Sequence, residues 1–327
     1  MKPLTYLLAI TGTLCSYISG QTVAELVPGQ SHPVIGLTSD QFELPIKCDG
    51  DGNVYLRSSF GAVEITKIAP DGTKKGSFGS AVSEIKDLGL YDFFPAEDGK
   101  LYLLLDGAEA DVAEFDGNAK FERLIKLDAG RLFRPEQFVV LSDGQFFISG
   151  NSIEAGKSAK KYPFSGMFDV NGKLAREVLL KEDETANPEN GKANREGASL
   201  PFRGYLLGRD GNIYIFQKGN PILAYVVSQS GHLLRTLKIK QPNPKYQPAV
   251  VKMGDGHIAV EFQLIEASNQ FEATEHIIRI ADTETGKTLI DYQGSSLLTG
   301  MFACYGSEKF TFLTGNEHLA LTEVATH

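Results

Sequence analysis

The residues of this 327-residue sequence that could do chemistry are few: two cysteines, two arginines and a handful of acidic and basic neighbours. Phe133-Arg134-Pro135-Glu136 and Phe202-Arg203-Gly204 each lead into an apolar run. A guanidinium there can grip a carboxylate or another anion bidentately. It can equally be held by Glu136, Asp92 or a loop carboxylate as an ordinary ion pair. With Lys161 and Glu266, which stand in long polar insertions, these residues form the candidate ligand-binding set: Asp92, Arg134, Glu136, Lys161, Arg203 and Glu266. Cys48 and Cys304 lie in segments that align without a gap, Cys48-Asp49-Gly50-Asp51-Gly52 against Cys304-Tyr305-Gly306-Ser307-Glu308.

Other chemistry has no signature here. Cysteines spaced as zinc ligands are absent. So are a Gly-x-Ser-x-Gly elbow, a phosphate-binding glycine loop and the periodic acidic pattern of an EF-hand. No catalytic residue, metal ligand or cofactor is therefore expected. Net charge is −9, from 32 basic and 41 acidic residues, which argues against a nucleic-acid partner.

The elements that must position these residues are set by a repeat. Five segments share an apolar run, an Asp-Gly turn and a second apolar run, with Asp at 51, 98, 143, 210 and 255. The intervals are 47, 45, 67 and 45 residues. Asp-Gly is a strong hairpin signal because glycine takes positive φ without steric cost. A sixth, degenerate copy turns at Ser307-Glu308, 52 residues after Asp255. A second turn follows in each unit, at Asp71-Gly72, Asp116-Gly117, Asn171-Gly172, Ser230-Gly231 and Thr285-Gly286. Four short strands per period of this length are the mark of a propeller blade. The composition agrees, with 20 Phe, 12 Tyr, 34 Gly and no Trp.

The recurring Asp-Gly-x-Ile/Leu-Tyr phrase, as in Asp210-Gly211-Asn212-Ile213-Tyr214, resembles the six-bladed β-propellers of the NHL and SMP-30/gluconolactonase-like (TolB-like) group. The expected fold is all-β: six four-stranded antiparallel blades, closed into a ring by the N-terminal strand. Such propellers serve as enzymes, binding platforms and sensors, so the resemblance carries fold rather than function. Lyases of the group hold a metal with histidines near the axis. None of the six histidines here, at 32, 232, 257, 276, 318 and 327, falls on an expected inner strand. Lactonases of the group use a Glu/Asn/Asn/Asp cation site. Glu43 faintly resembles its glutamate, without matching asparagines, and reads as an edge carboxylate.

Residues 1–20 read as a signal peptide, with Lys2, an apolar stretch from Leu4 to Leu14 and small residues before Gln21. The rest, 21–327, reads as one propeller domain, exported to a periplasmic or extracellular space with no integral membrane segment after cleavage. The sixth unit has only three strands, and Thr22–Val27 is the spare strand expected to complete it, since an unpaired strand would leave an open edge. Blades one and six then become neighbours, which brings Cys48 and Cys304 together. They form either a disulfide, which needs Cα atoms about 4.4–6.8 Å apart, or two buried thiols packed as small hydrophobes.

The long connections, Gly150–Lys161, Lys181–Ser199, Leu264–Glu275 and the shorter Ser80–Leu88, all fall on one face. That face is the expected binding surface. The functional expectation is a non-catalytic exported module recognising a protein, peptide or glycan there. The alternative is a lactonase-, hydrolase- or lyase-like channel enzyme using a divalent cation.

Overall fold

Every Asp-Gly pair in the repeat closes a hairpin, and Gly52, Gly99, Gly144, Gly211 and Gly256 all take φ between 74° and 84°. In three of these turns the aspartate accepts the backbone N–H two residues on: Lys100 to Asp98, Gln145 to Asp143 and Asn212 to Asp210. Such side-chain turns are the local reason for aspartate at this place. Blade one shifts the role to Asp49, which accepts from the N–H groups of Asp51 and Asn53 and from the Tyr55 hydroxyl. The second turn of blade two departs from expectation: the left-handed residue is Ala119, at φ 64°, and not Gly117.

The structure is a computed structural model describing residues 23–59, 63–107, 110–154, 160–180, 205–265, 273–294, 300–315 and 318–325. Two short strands, β1 (Val23–Leu26) and β2 (Ser31–Pro33), precede the blades. Blade one is β3 (Phe42–Cys48), β4 (Val54–Ser58), β5 (Ile65–Ile68) and β6 (Lys74–Phe78). Blade two is β7 (Gly89–Pro95), β8 (Leu101–Asp106), β9 (Ala110–Phe115) and β10 (Phe121–Lys126). Blade three is β11 (Phe133–Val140), β12 (Phe146–Glu154), β13 (Lys160–Phe168) and β14 (Leu174–Glu177). Blade four is β15 (Tyr205–Leu207), β16 (Ile213–Gln217), β17 (Ile222–Val227) and β18 (Leu233–Ile239). Blade five is β19 (Tyr246–Gly254), β20 (His257–Ile265), β21 (Ala273–Asp282) and β22 (Thr288–Gly294). Blade six is β23 (Gly300–Gly306), β24 (Lys309–Thr314) and β25 (Ala320–Ala325), with β2 as its fourth strand.

The core consists of six apolar clusters, one between each pair of neighbouring blades. Each blade is a sheet with two apolar faces, so it can bury both only by lying between two others. Aromatic rings fill the wedge between blades: Phe78 meets Phe115 edge-on at 6.0 Å between blades one and two, and Tyr292 meets Phe310 at 5.2 Å between blades five and six.

Ring closure uses the N-terminal segment, but not the part expected. Val23–Leu26 does not complete blade six. It adds a fifth strand, parallel, to the outer edge of blade five, with Val23 opposite Asp291 and Leu26 opposite Gly294. The outer strand of blade six is Ser31–Pro33, antiparallel to β25. Between them Gly29 donates to the Glu323 carbonyl at 2.8 Å, and Glu323 N–H donates to the Gln30 carbonyl. A Cβ on Gly29 would sit 2.9 Å from that carbonyl oxygen, so glycine permits the crossing. The reason for the difference is burial. Leu26 is sunk into the cluster between blades five and six, which recruits the apolar stretch. The closing strand lies at the outer rim, where Ser31 and His32 suffice and proline is tolerated.

Blade six's turn has both central residues left-handed without glycine, Ser307 at φ 53° and Glu308 at φ 56°. It is held from outside: the Asp255 carboxylate of blade five accepts the N–H groups of Ser307 and Glu308 at 3.0 and 2.9 Å. Near the axis the other side of blade six is fastened covalently, with Cys48 of blade one bonded to Cys304 of blade six and Cα atoms 5.9 Å apart. The long insertions of blades three and five begin and end in strand: β12 and β20 run to Glu154 and Ile265, and their partners resume at Lys160 and Ala273.

Two outcomes check the seam. Removing residues up to Pro28 should lower the melting temperature by about 3 °C, whereas removal up to Ile35 should lower it by about 10 °C or more, as a sheet edge opens. Intact-mass analysis of the unreduced protein should find no free thiol at Cys48 or Cys304. Replacing both by serine should cost about 3 kcal/mol, measured by denaturant unfolding.

Candidate functional site

Five of the six inner strands carry a bulge or register break, at Glu43/Lys47, Leu90/Asp92, Pro135/Gln137, Pro248/Val250 and Phe302/Cys304. Bulges turn side chains out of the regular alternation and occur beside sites. Here the irregular residues of blades two and three are Tyr91 and Glu136. Arg134 donates from Nε to the Tyr91 hydroxyl at 3.1 Å, and its guanidinium lies 5.6 Å from the Tyr91 ring centre. Glu136 accepts from Asn151 Nδ2 at 2.7 Å. Arg134 and Glu136 are exposed, and Leu132 and Leu179 on the same blade are 60% and 71% exposed. Burial pushes the Tyr91 hydroxyl pKa up, so the phenol stays neutral and polar. This cluster stands at the start of the inner strands, the face from which the long connections leave.

A second feature lies at the other end of the channel. A cavity of about 400 Å³ opens among the first hairpin turns, bordered by Asp51, Glu97, Arg209, Gly256 and Ser307. Its walls include Phe94, Leu206 and Tyr305, with the Cys48–Cys304 bridge among them. Arg209 faces Asp255 at 3.5 Å, and Lys309 pairs with Glu323 at 2.8 Å, so the rim charges are largely matched.

Besides Lys309, two lysines line this cavity, Lys47 and Lys252. Lys47 Nζ pairs with Asp92 at 2.7 Å and lies 5.3 Å from the centre of the Phe93 ring. Asp92 is buried and also accepts the Phe138 N–H at 3.3 Å. Lys252 is buried and donates to the Ile46 carbonyl across the blade six seam. Burial, reinforced by the Lys47 charge, pulls the Lys252 amine down to about 7, with Glu261 acting in the opposite sense. Glu261 is itself buried, 2.7 Å from Nδ1 of His276.

Of the expected ligand set, Arg134 and Glu136 come together at one face. Asp92 does not join them; it is the counter-ion of Lys47 inside the channel. Lys161 is a strand residue opposite Ile153 and not a loop residue. Arg203 and Glu266 lie outside the described residues, as does the 181–204 insertion. Glu43 sits at a blade edge, 3.8 Å from Arg57. Sequence reasoning missed Lys47 and Lys252. The signal was available: Lys252 occupies the repeat position held elsewhere by Cys48, Pro95, Val140, Leu207 and Cys304, so it is the one charged residue in that register. Among the described residues no three His, Cys, Asp or Glu side chains gather as a metal site.

No protein-family model matches the chain, and no curated protein matches it. Solved structures do. YCF48 bound to D1 peptide is 10% identical, over 96% of this chain and 100% of that one, with a TM-score of 0.45. YCF48 from Cyanidioschyzon merolae is 12% identical, over 91% and 99%, with a TM-score of 0.46. The WD40 domain of Neurospora crassa Pan2 is 9% identical, over 90% and 92%, with a TM-score of 0.47.

The lysine in the channel sets a pH dependence. Its folded-state pKa lies below the unfolded value, so the unfolded chain binds the extra proton between about pH 7 and about 10.4. Stability should rise with pH across that window, and the cost should be fully present below it. Lys252→Met should remove this slope. The check is denaturant unfolding of both proteins at pH 7 and pH 10, with the variant gaining more at pH 7.

Proposed function

We propose that the protein is an exported binding module that engages a polypeptide on the face carrying Tyr91, Arg134 and Glu136. The carrying observation is the exposed Arg134 guanidinium held against the half-buried Tyr91, with exposed Leu132 two residues earlier in the chain. Tyrosine and arginine supply most of the energy at protein interfaces, and exposed leucines add apolar area around them. The carboxylate of Glu136 and the amide of Asn151 add directional polar contacts on the same rim, a set that a peptide or a glycan can also use. The scaffold beneath is rigid, with buried aromatic wedges on both sides of each blade, which preorganises the surface.

Export is supported by the N-terminal apolar segment and by a Cys48–Cys304 bond, which persists in an oxidising compartment. The Asp-Gly-x-Ile-Tyr phrase supports placing the propeller with the NHL-like group.

Selection of a peptide display library against the mature protein, followed by calorimetry, tests the reading. Selected peptides should bind with micromolar Kd and weaken about tenfold or more with Tyr91→Ala/Arg134→Ala. Arg209→Ala, at the opposite end, should leave affinity unchanged. Peptides insensitive to the first variant, or sensitive only to the second, overturn it.

A further inference from the structure

The channel cavity contains an amine that the binding reading does not use. Lys252 is a wall residue of the cavity and is 8% exposed. Among the described residues its hydrogen bond goes to a neutral acceptor, the Ile46 carbonyl. Asp92 is taken by Lys47 at 2.7 Å, and Glu261, the carboxylate whose charge acts on Lys252, is engaged with His276 at 2.7 Å. A buried lysine beside a second cation, with its hydrogen bond made to a carbonyl, is favoured in its neutral form.

We propose that Lys252 Nζ is a nucleophilic amine that condenses with a small aldehyde entering the cavity from the hairpin end. The cavity of about 400 Å³ holds a small organic molecule, and its walls of Phe94, Pro95, Leu206 and Tyr305 suit an apolar body. In the step, the Nζ lone pair attacks the carbonyl carbon and the C=O π electrons move to oxygen. Both Nζ protons leave with that oxygen as water, and a C=N bond joins the aldehyde carbon to Lys252. No oxidant or reductant is needed. The groups that set the proton balance are Lys47, which disfavours the ammonium form, and Glu261, which favours it. The proposal is independent of the binding face, which lies at the other end of the channel.

The test uses the full mature chain, propionaldehyde and cyanoborohydride, which reduces any imine to a stable propyl-lysine, read by peptide mass mapping. At pH 7 Lys252 should label about tenfold faster or more than the exposed Lys74 and Lys75. Its labelling rate should rise with a midpoint near 7. Lys47→Met should move that midpoint upward, because a like charge is removed. Lys252 left unlabelled, labelled no faster than Lys74, or titrating together with the surface lysines overturns the proposal. The wild-type profile alone decides between these outcomes, so the test does not depend on the variant folding.

Discussion

Closure of the ring is the constraint on which the rest of the structure depends. A blade has two apolar faces and no means of burying either one by itself. Six interblade clusters are needed for six blades, and the sixth forms only if the last blade meets the first. Three devices hold blade six in place, two at that seam and one on its blade-five side. Ser31–Pro33 supplies the missing strand from the far end of the chain. The Cys48–Cys304 bond spans 256 residues of sequence at the inner strands. The Asp255 carboxylate steadies the turn of blade six. The parallel strand Val23–Leu26 then ties the same N-terminal segment to blade five, so blades five, six and one are joined by one continuous stretch.

The same seam shapes the channel. Lys252 of blade five crosses beneath the inner strand of blade six to reach the backbone of blade one. Lys47, next to Cys48, pairs with Asp92 of blade two. The inner end of the cavity is thus a polar bridge between blades two, one and five, built where inner strands converge and its lysines are largely buried. Burial of this kind lowers the proton affinity of an amine, and a second amine nearby lowers it further. At the other face the strand irregularities leave Tyr91 half-buried against Arg134 and place Glu136 in solvent. The two ends of one channel therefore differ in kind: one is exposed and aromatic-cationic, the other enclosed and amine-bearing.

Much of the architecture was legible because it is written locally. Asp-Gly turns recur at a fixed period, each glycine is needed for positive φ, and the apolar runs between them have strand length. These rules do not depend on what the strands pack against, so they gave the six blades and the pairing of blade one with blade six. Where local pattern was the wrong guide, long-range burial decided. The apolar strand Val23–Leu26 looked like the better closing strand, yet Leu26 had a buried groove waiting on blade five. The closing strand at the solvent rim could be as polar and as short as Ser31–Pro33.

The candidate sites show the same division. Arg134 and Glu136 stood out in sequence, since an arginine and a glutamate leading into the apolar run of an inner strand must lie near the rim of the ring. Their partner Tyr91 comes from the neighbouring blade, 43 residues away, and could not be read from spacing. Lys252 sits alone in an apolar run, which marks it as odd, but its function depends on Lys47, Asp92 and the Ile46 carbonyl, all on other blades. Sequence determined the repeat, because turns and strands are set by neighbours along the chain. The charge state of the buried amine and the meeting of tyrosine with arginine were decided by the tertiary structure alone, because desolvation and Coulomb interaction act across space between inner strands that the ring brings together.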